Sequence, residues 1–78
     1  MKIQILGTGC PKCSKLAENA RQAVSELGIE AEVIKVTDLD EIMSFGVLLT
    51  PGFAVDGVVK AVGTLLSPKQ IREILTAS

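Results

Sequence analysis

The 78-residue chain contains no histidine, tryptophan or tyrosine, and it has only two cysteines. Without histidine, the chain by itself builds neither a histidine-dependent nucleophile nor a mixed cysteine–histidine zinc site. The formal net charge of −1 and the lack of a basic run argue against nucleic acid as the main partner. No apolar run approaches the ~20 residues of a membrane span, and no basic segment precedes a long apolar one. We therefore expect neither a membrane segment nor a signal peptide.

The two cysteines, Cys10 and Cys13, are separated by Pro11 and Lys12. A disulfide between them would enclose a loop too small to stabilise a fold, whereas secreted domains of this size usually carry several disulfides. The pair is therefore more consistent with chemistry than with structure, and we expect a cytoplasmic protein with reducing partners. The 47% hydrophobic content is enough for one small domain spanning residues 1–78.

The cysteine pair lies between an apolar run and a helical pattern. A Cys-x-x-Cys sequence at a strand-to-helix junction is typical of a redox site. If the helix begins near Cys10 or Pro11, the two thiols lie about one turn apart and can form a short disulfide. The first sulfur then lies at the helix N-terminus, where unpaired N–H groups and the helix dipole favour a thiolate.

The remaining patterns predict the element order β-α-β-α-β-β-α. We expect strands over residues 1–6 and 29–36, with the first helix ending at Leu27 between them, which is a βαβ unit with parallel strands. Thr37 or Asp38 can cap a short second helix. The residues predicted to be buried by that helix are Leu39, Ile42 and Met43.

The C-terminal third predicts a hairpin and a capped helix. Residues 53–62 contain an Asp56-Gly57 turn between two apolar runs. Ser67, Pro68 and Gln70 supply an N-cap, a proline at the first helical position and a capping-box partner. The residues that this last helix should bury are Ile71, Ile74 and Leu75.

With this order, the chain resembles the small thioredoxin/glutaredoxin-like redox-active disulfide proteins of archaea and bacteria over essentially its whole length. The resemblance is specific at residues 10–13, at Thr50-Pro51 before a strand, and at residues 62–64 after the last strand. It implies an α/β, thioredoxin-like fold in which helices flank a four-stranded mixed sheet with the first strand central. It also implies a dithiol/disulfide oxidoreductase.

The resemblance also implies roles for the motif residues. Cys10 would be the nucleophile and Cys13 the resolving thiol, while Pro11 and Lys12 would tune the redox potential. Lys12 taken alone is better explained as a solvated surface residue.

Three further residues would form the substrate side of the site. By resemblance, Pro51 follows a cis peptide bond, the backbone of Thr50 pairs with an extended substrate chain, and Gly63 lets a substrate backbone come close. An apolar rim is also predicted, from Leu48, Leu49, Pro51, Val62 and Thr64.

The chain departs from the better-known members at two places. Gly9 stands where thioredoxins have tryptophan, and the first strand has no acid beneath the resolving thiol. Glutaredoxins hold glutathione partly through a basic residue just before the motif and through acidic or hydroxyl residues after the glycine loop. Here Thr8 and Gly9 precede the motif, and after Gly63 only Ser67 and the N-terminus of the last helix could serve a carboxylate. We therefore expect disulfide-containing protein substrates and a thioredoxin-reductase-like partner rather than glutathione, a monomer, and no cofactor or resident metal.

Two metal-binding hypotheses remain open as alternatives to the redox function. The first is a soft-metal carrier of the ferredoxin-like heavy-metal-associated type, for copper or zinc, which also places Cys-x-x-Cys between a first strand and a first helix. That fold, however, has the order βαββαβ and ends on a strand. The second is a zinc or iron–sulfur site with two cysteines from each chain of a dimer.

Overall fold

The computed structural model describes residues 1–8 and 11–77. Its elements are β1 (Lys2–Leu6), α1 (Pro11–Leu27), β2 (Glu32–Val36), α2 (Leu39–Ser44), β3 (Gly52–Val55), β4 (Val58–Val62) and α3 (Pro68–Ala77). This is the predicted order β-α-β-α-β-β-α, and its last described element is a helix, unlike the ferredoxin-like alternative. Among the described helices, none combines the length and the apolar character that crossing a membrane requires.

The four strands form one mixed sheet in the order β2-β1-β3-β4. β1 pairs with β2 in parallel and with β3 antiparallel, and β3 pairs with β4 antiparallel. The parallel pair follows from the α1 crossover, because two parallel strands need a long connection that returns the chain to the same end of the sheet. The prediction of a mixed sheet with a central first strand is confirmed.

The hairpin turn also anchors the first strand. Asp56 and Gly57 have φ angles of 50° and 84°, as expected for the central residues of a tight hairpin turn with positive φ at both positions. The Asp56 N–H donates to the Lys2 carbonyl, and the Lys2 N–H donates to Asp56 Oδ1, both at 2.7 Å. These two hydrogen bonds extend the β1–β3 pairing to the turn itself.

The larger core lies between one sheet face and the helices α1 and α3. Its fully buried members include Ile3, Ile5, Leu16, Phe53 and Ile71. A smaller cluster under α2 contains Leu6, Val36, Ile42 and Val47.

The prediction for α2 is wrong in part. Ile42 is buried as expected, but Leu39 and Met43 are 62% and 59% exposed. The helix has six residues, and within it the structure buries Ile42 alone. So short a helix contacts the small cluster with one side chain, and the two neighbouring apolar side chains point to solvent.

The predicted capping box of α3 is confirmed. The Ser67 N–H donates to Gln70 Oε1 at 2.9 Å, and the Gln70 N–H donates to Ser67 Oγ at 3.2 Å. Ile71 and Leu75 are buried, and the partly buried Ile74 packs against the same core. The reciprocal bonds satisfy donors that the helix cannot satisfy internally, so they set where α3 begins.

A buried asparagine joins α1 to the segment that precedes α3. Asn19 Nδ2 donates to the Leu66 carbonyl at 2.8 Å, and both residues are buried. A buried carbonyl that loses its donor carries a desolvation cost, so this bond should hold the segment from Gly63 to α3 against α1.

We expect Asn19→Ala to lower the free energy of unfolding by about 1–2 kcal/mol, because the loss of about 1–3 kcal/mol from the orphaned carbonyl is partly offset by the better helix propensity of alanine. The melting temperature should fall by about 4–8 °C for each kcal/mol. The control is Gln22→Ala on the exposed side of the same helix. Equal melting temperatures for the two variants would show that the Asn19 hydrogen bond contributes nothing.

Candidate active site

The candidate site lies where β1 ends and α1 begins. The Gly7 N–H donates to the Val36 carbonyl at 3.0 Å, so the chain stays attached to the sheet for one residue beyond Leu6. α1 then begins at Pro11, consistent with the predicted start near Cys10 or Pro11. Cys13 is the third residue of this helix. Cys10, the predicted nucleophile, and Gly9 lie outside the described residues.

The side chains of the first helical turn differ in exposure. Pro11 and Lys12 are exposed, whereas Cys13 is 5% exposed and points into the protein. A thiol buried this deeply is shielded from a folded partner protein. The burial of Cys13 fits the resolving role that the resemblance implies.

Gly7 brings Cys13 next to the loop that contains Thr50. A Cβ atom at position 7 would overlap Cys13 Sγ, and it would lie 3.2 Å from Cys13 Cβ and 3.8 Å from Thr50 Cβ. The end of β1, the first turn of α1 and the loop before β3 therefore meet at this glycine. Two of the predicted site residues, Cys13 and Thr50, are neighbours across it.

The loop before β3 is joined to the loop after β4. The Thr50–Pro51 peptide bond is cis, which is the geometry that the resemblance implies. The Gly63 N–H donates to the Pro51 carbonyl at 2.8 Å. Gly63 has a φ of 68°, in the left-handed region that favours glycine, and a Cβ there would lie 3.5 Å from Leu49 Cβ.

The surface around these loops is apolar. Pro51 itself is buried, but Leu48 is 89%, Leu49 64% and Val62 44% exposed. Thr50 and Thr64 are exposed as well. The predicted rim is thus at the surface except for Pro51, and it borders the polar backbone of Thr50.

Charged groups near the motif are few. Lys12 is exposed, and Lys15 Nζ lies 3.7 Å from Glu18 Oε2 in an exposed pair that contributes little to stability. In β1, which contains no acid, Gln4 Oε1 accepts from the Gly57 N–H at 3.2 Å. That side chain therefore binds the hairpin turn. Within residues 1–8 and 11–77, no three acidic or cysteine side chains are grouped so that they could hold a metal ion.

Two residues of this region were not predicted from the sequence. Gly7 continues the alternation of Ile3 and Ile5, which pack against α1. A glycine at an inward-facing position was the available signal. Asn19 lies among Leu16, Ala20 and Ala23 of the buried stripe, and a polar residue in such a stripe indicates a buried hydrogen bond.

Comparison with known proteins decides the family. The model of the thioredoxin domain family matches residues 1–76. The chain belongs to this family. It is 50% identical over 76 residues to a thioredoxin of Methanothermobacter thermautotrophicus, covering 97% of this chain and 99% of that protein.

A second relative gives the same result. The chain is 51% identical over 73 residues to a thioredoxin of Methanocaldococcus jannaschii, covering 94% of this chain and 84% of the relative. As a member of the thioredoxin family, the protein is a thiol–disulfide oxidoreductase. The fold and the activity expected from the sequence are confirmed.

Proposed function

We propose that this oxidoreductase reduces disulfide bonds of partner proteins, with Cys10 as the attacking thiol and Cys13 as the resolving thiol. The observation that carries this assignment is the burial of Cys13 in the first turn of α1, beside Gly7 and Thr50. A buried thiol is poorly placed for a bimolecular attack and well placed for an intramolecular one. Attack on the partner therefore falls to Cys10.

The reaction consists of two exchanges. The Cys10 thiolate attacks one sulfur of the partner disulfide, forming a Cys10–partner bond and releasing the other partner sulfur as a thiolate. The Cys13 thiolate then attacks the Cys10 sulfur, which forms the Cys10–Cys13 bond and releases the second partner sulfur. The partner gains two electrons, the dithiol loses two, and the protons of the thiols pass through solvent. A separate reductase must return the electrons.

The helix N-terminus supports the first step. The unpaired N–H groups and the dipole of the 17-residue α1 favour negative charge at its start. Lys12 adds an exposed positive charge within the motif, and Pro11 removes one N–H that has no helical acceptor. We assign both residues to tuning of the redox potential.

The loops supply the substrate side. Thr50 is exposed beside the Cys13 position, so its backbone can pair with an extended segment of the partner. Gly63, hydrogen-bonded to Pro51, leaves room for that segment. The exposed Leu48, Leu49 and Val62 provide apolar contact with a protein surface, which favours protein substrates over glutathione.

The remaining proposals concern the setting of the reaction. We assign residues 1–78 to one thioredoxin-like domain that acts as a monomer in the cytoplasm. Its partners are disulfide-containing proteins and a reductase of the thioredoxin-reductase type. The chain uses its own two thiols and needs no cofactor or resident metal.

The test is reduction of insulin by the purified protein with dithiothreitol as electron source. We expect insulin to precipitate faster than with dithiothreitol alone, and we expect protein alkylated by iodoacetamide to lose the effect. A metal assay on the protein as purified accompanies it. If the protein contained stoichiometric copper or zinc and did not reduce insulin, the proposal would be rejected in favour of the soft-metal carrier hypothesis.

A further inference from the structure

We propose that Gly7 is a positioning residue for the resolving step: its missing side chain is the space that holds the Cys13 sulfur. The inference rests on the proposed roles of Cys10 and Cys13. It concerns a residue outside the Cys-x-x-Cys motif and outside the loops that contact substrate.

A Cβ atom at position 7 and the Cys13 sulfur would occupy the same space. The Gly7 backbone is held by its hydrogen bond to the Val36 carbonyl, so it cannot retreat without losing this bond at the end of the β1–β2 ladder. Cys13 is held by the first turn of α1. A Cβ at position 7 would overlap Cys13 Sγ and lie 3.2 Å from Cys13 Cβ, which is tighter than ordinary van der Waals contact.

Backbone conformation does not account for the glycine. Gly28, Gly46, Gly57 and Gly63 have positive φ angles, which side chains rarely adopt, whereas Gly7 is not among the glycines with positive φ. An alanine at position 7 is therefore compatible with the backbone and conflicts with the sulfur. The conflict is with the atom that must attack Cys10.

An alanine at position 7 should therefore affect one of the two exchanges. Cys10 attacks the partner without using the Cys13 sulfur, so the first exchange should keep its rate. In the second exchange the sulfur must approach Cys10 along a defined line, and displacement of about 1 Å from such a geometry costs up to about 100-fold in rate. The mixed disulfide should then accumulate.

The experiment follows the reaction of reduced Gly7→Ala with Ellman's reagent in a stopped-flow instrument. The first exchange releases one thionitrobenzoate ion and the second releases another, so the two steps appear as two phases. We expect the first phase to change by less than about threefold and the second to slow by about 10- to 100-fold. Mass spectrometry should detect the Cys10–thionitrobenzoate adduct between the phases.

A double-mutant cycle separates positioning from general packing. In the reduced protein, Gly7→Ala should lower the melting temperature by roughly 5–15 °C. In a Cys13→Ala background most of that loss should disappear, because the overlapping sulfur is absent. The control is Gly52→Ala, whose Cβ would lie 3.1 Å from Leu6 Cβ and 3.2 Å from Val47 Cγ1. Its loss should be the same in both backgrounds.

The outcomes are distinct. Unchanged phases in Gly7→Ala, equal slowing of both phases, or a stability loss that Cys13→Ala does not relieve would each overturn the positioning role. If Gly7→Ala fails to fold only when Cys13 is present, the space beside Gly7 is needed for the Cys13 sulfur, as proposed. If it fails to fold in both backgrounds, the proposal is rejected. If the unaltered protein releases no second thionitrobenzoate, the proposed roles of the cysteines fail, while the stability cycle still tests the Gly7–sulfur contact.

Discussion

Cys13→Ser is expected to leave a partner protein covalently bound to Cys10. The first exchange forms a mixed disulfide, and without the Cys13 sulfur nothing within the chain resolves it, since the chain has two cysteines in all. Cys10→Ser should trap far less, because Cys13 is 5% exposed and the partner cannot reach it. Each variant should lose disulfide reduction by about 10³-fold or more, the scale on which enzymes lose activity when a nucleophile is removed.

The measurement is non-reducing gel electrophoresis after each variant is mixed with a disulfide-containing protein. Iodoacetamide alkylation rates of the two variants at several pH values show which thiol is the more reactive. Ser14→Ala, at an exposed position in the same helical turn, is the matched control and should keep full activity. Both cysteine variants should fold, because a bridge across so short a segment constrains the unfolded chain little.

Two results would contradict the assignment. If Cys10→Ser trapped as much partner as Cys13→Ser, the attacking and resolving roles would be reversed or shared. If neither folded variant reacted with the disulfide, the two cysteines would not carry the exchange at all.

Phe53→Ala is expected to remove about 3–5 kcal/mol from the free energy of unfolding, the range found for large aromatic side chains deleted from cores. Phe53 is fully buried on β3, and the core cluster that contains it includes Ile3 and Ile5 of β1 and Leu16 of α1. A chain of 78 residues has a total stability of about 4–12 kcal/mol. The substitution therefore consumes a large part of that stability and should leave the protein partly unfolded at moderate temperature.

The measurement is urea unfolding followed by circular dichroism. Phe53→Leu keeps most of the volume and should lose less than about 1.5 kcal/mol. Val58→Ala on the neighbouring strand is the surface control, because Val58 is 57% exposed, and it should cost less than about 1 kcal/mol. If Phe53→Ala were no more destabilising than Val58→Ala, the core would not depend on this ring.

Phe53 also connects stability to the site. Phe53 lies on β3, two residues after Pro51, so the strand that this ring anchors directly follows the cis-proline loop. A protein that loses this anchor should lose activity together with its fold, and activity should return when the variant is cooled into its folded range. This behaviour distinguishes Phe53 from Cys10 and Cys13. Substitution of either cysteine removes a reacting sulfur, so cooling should not restore activity.

Local signals in the sequence were sufficient for the element order and for several boundaries. The Ser67–Gln70 capping box, the proline at the start of α1 and the Asp56-Gly57 turn each act within a few residues of chain, so the residue types alone carry the information. β2 is shorter than predicted, beginning at Glu32, since its early residues lie outside the pairing with β1.

Tertiary structure decided which apolar side chains of α2 are buried. The spacing of Leu39, Ile42 and Met43 describes one stripe, but the buried cluster offers a place only to Ile42. The extent of that cluster is set by Leu6 on β1, Val36 on β2 and Val47 after α2. No periodicity within α2 contains this information.

The sequence by itself determined the family pattern, the cysteine pair and the order of helices and strands, because each depends on residues close together in the chain. Only the tertiary structure decided the contacts between distant segments. One example is the close approach of Gly7 to Cys13 and Thr50. Two others are the hydrogen bond between Gly63 and Pro51 and the hydrogen bond between Asn19 and Leu66. The last of these pairs is 47 residues apart, and such a contact forms only after the sheet and helices have packed.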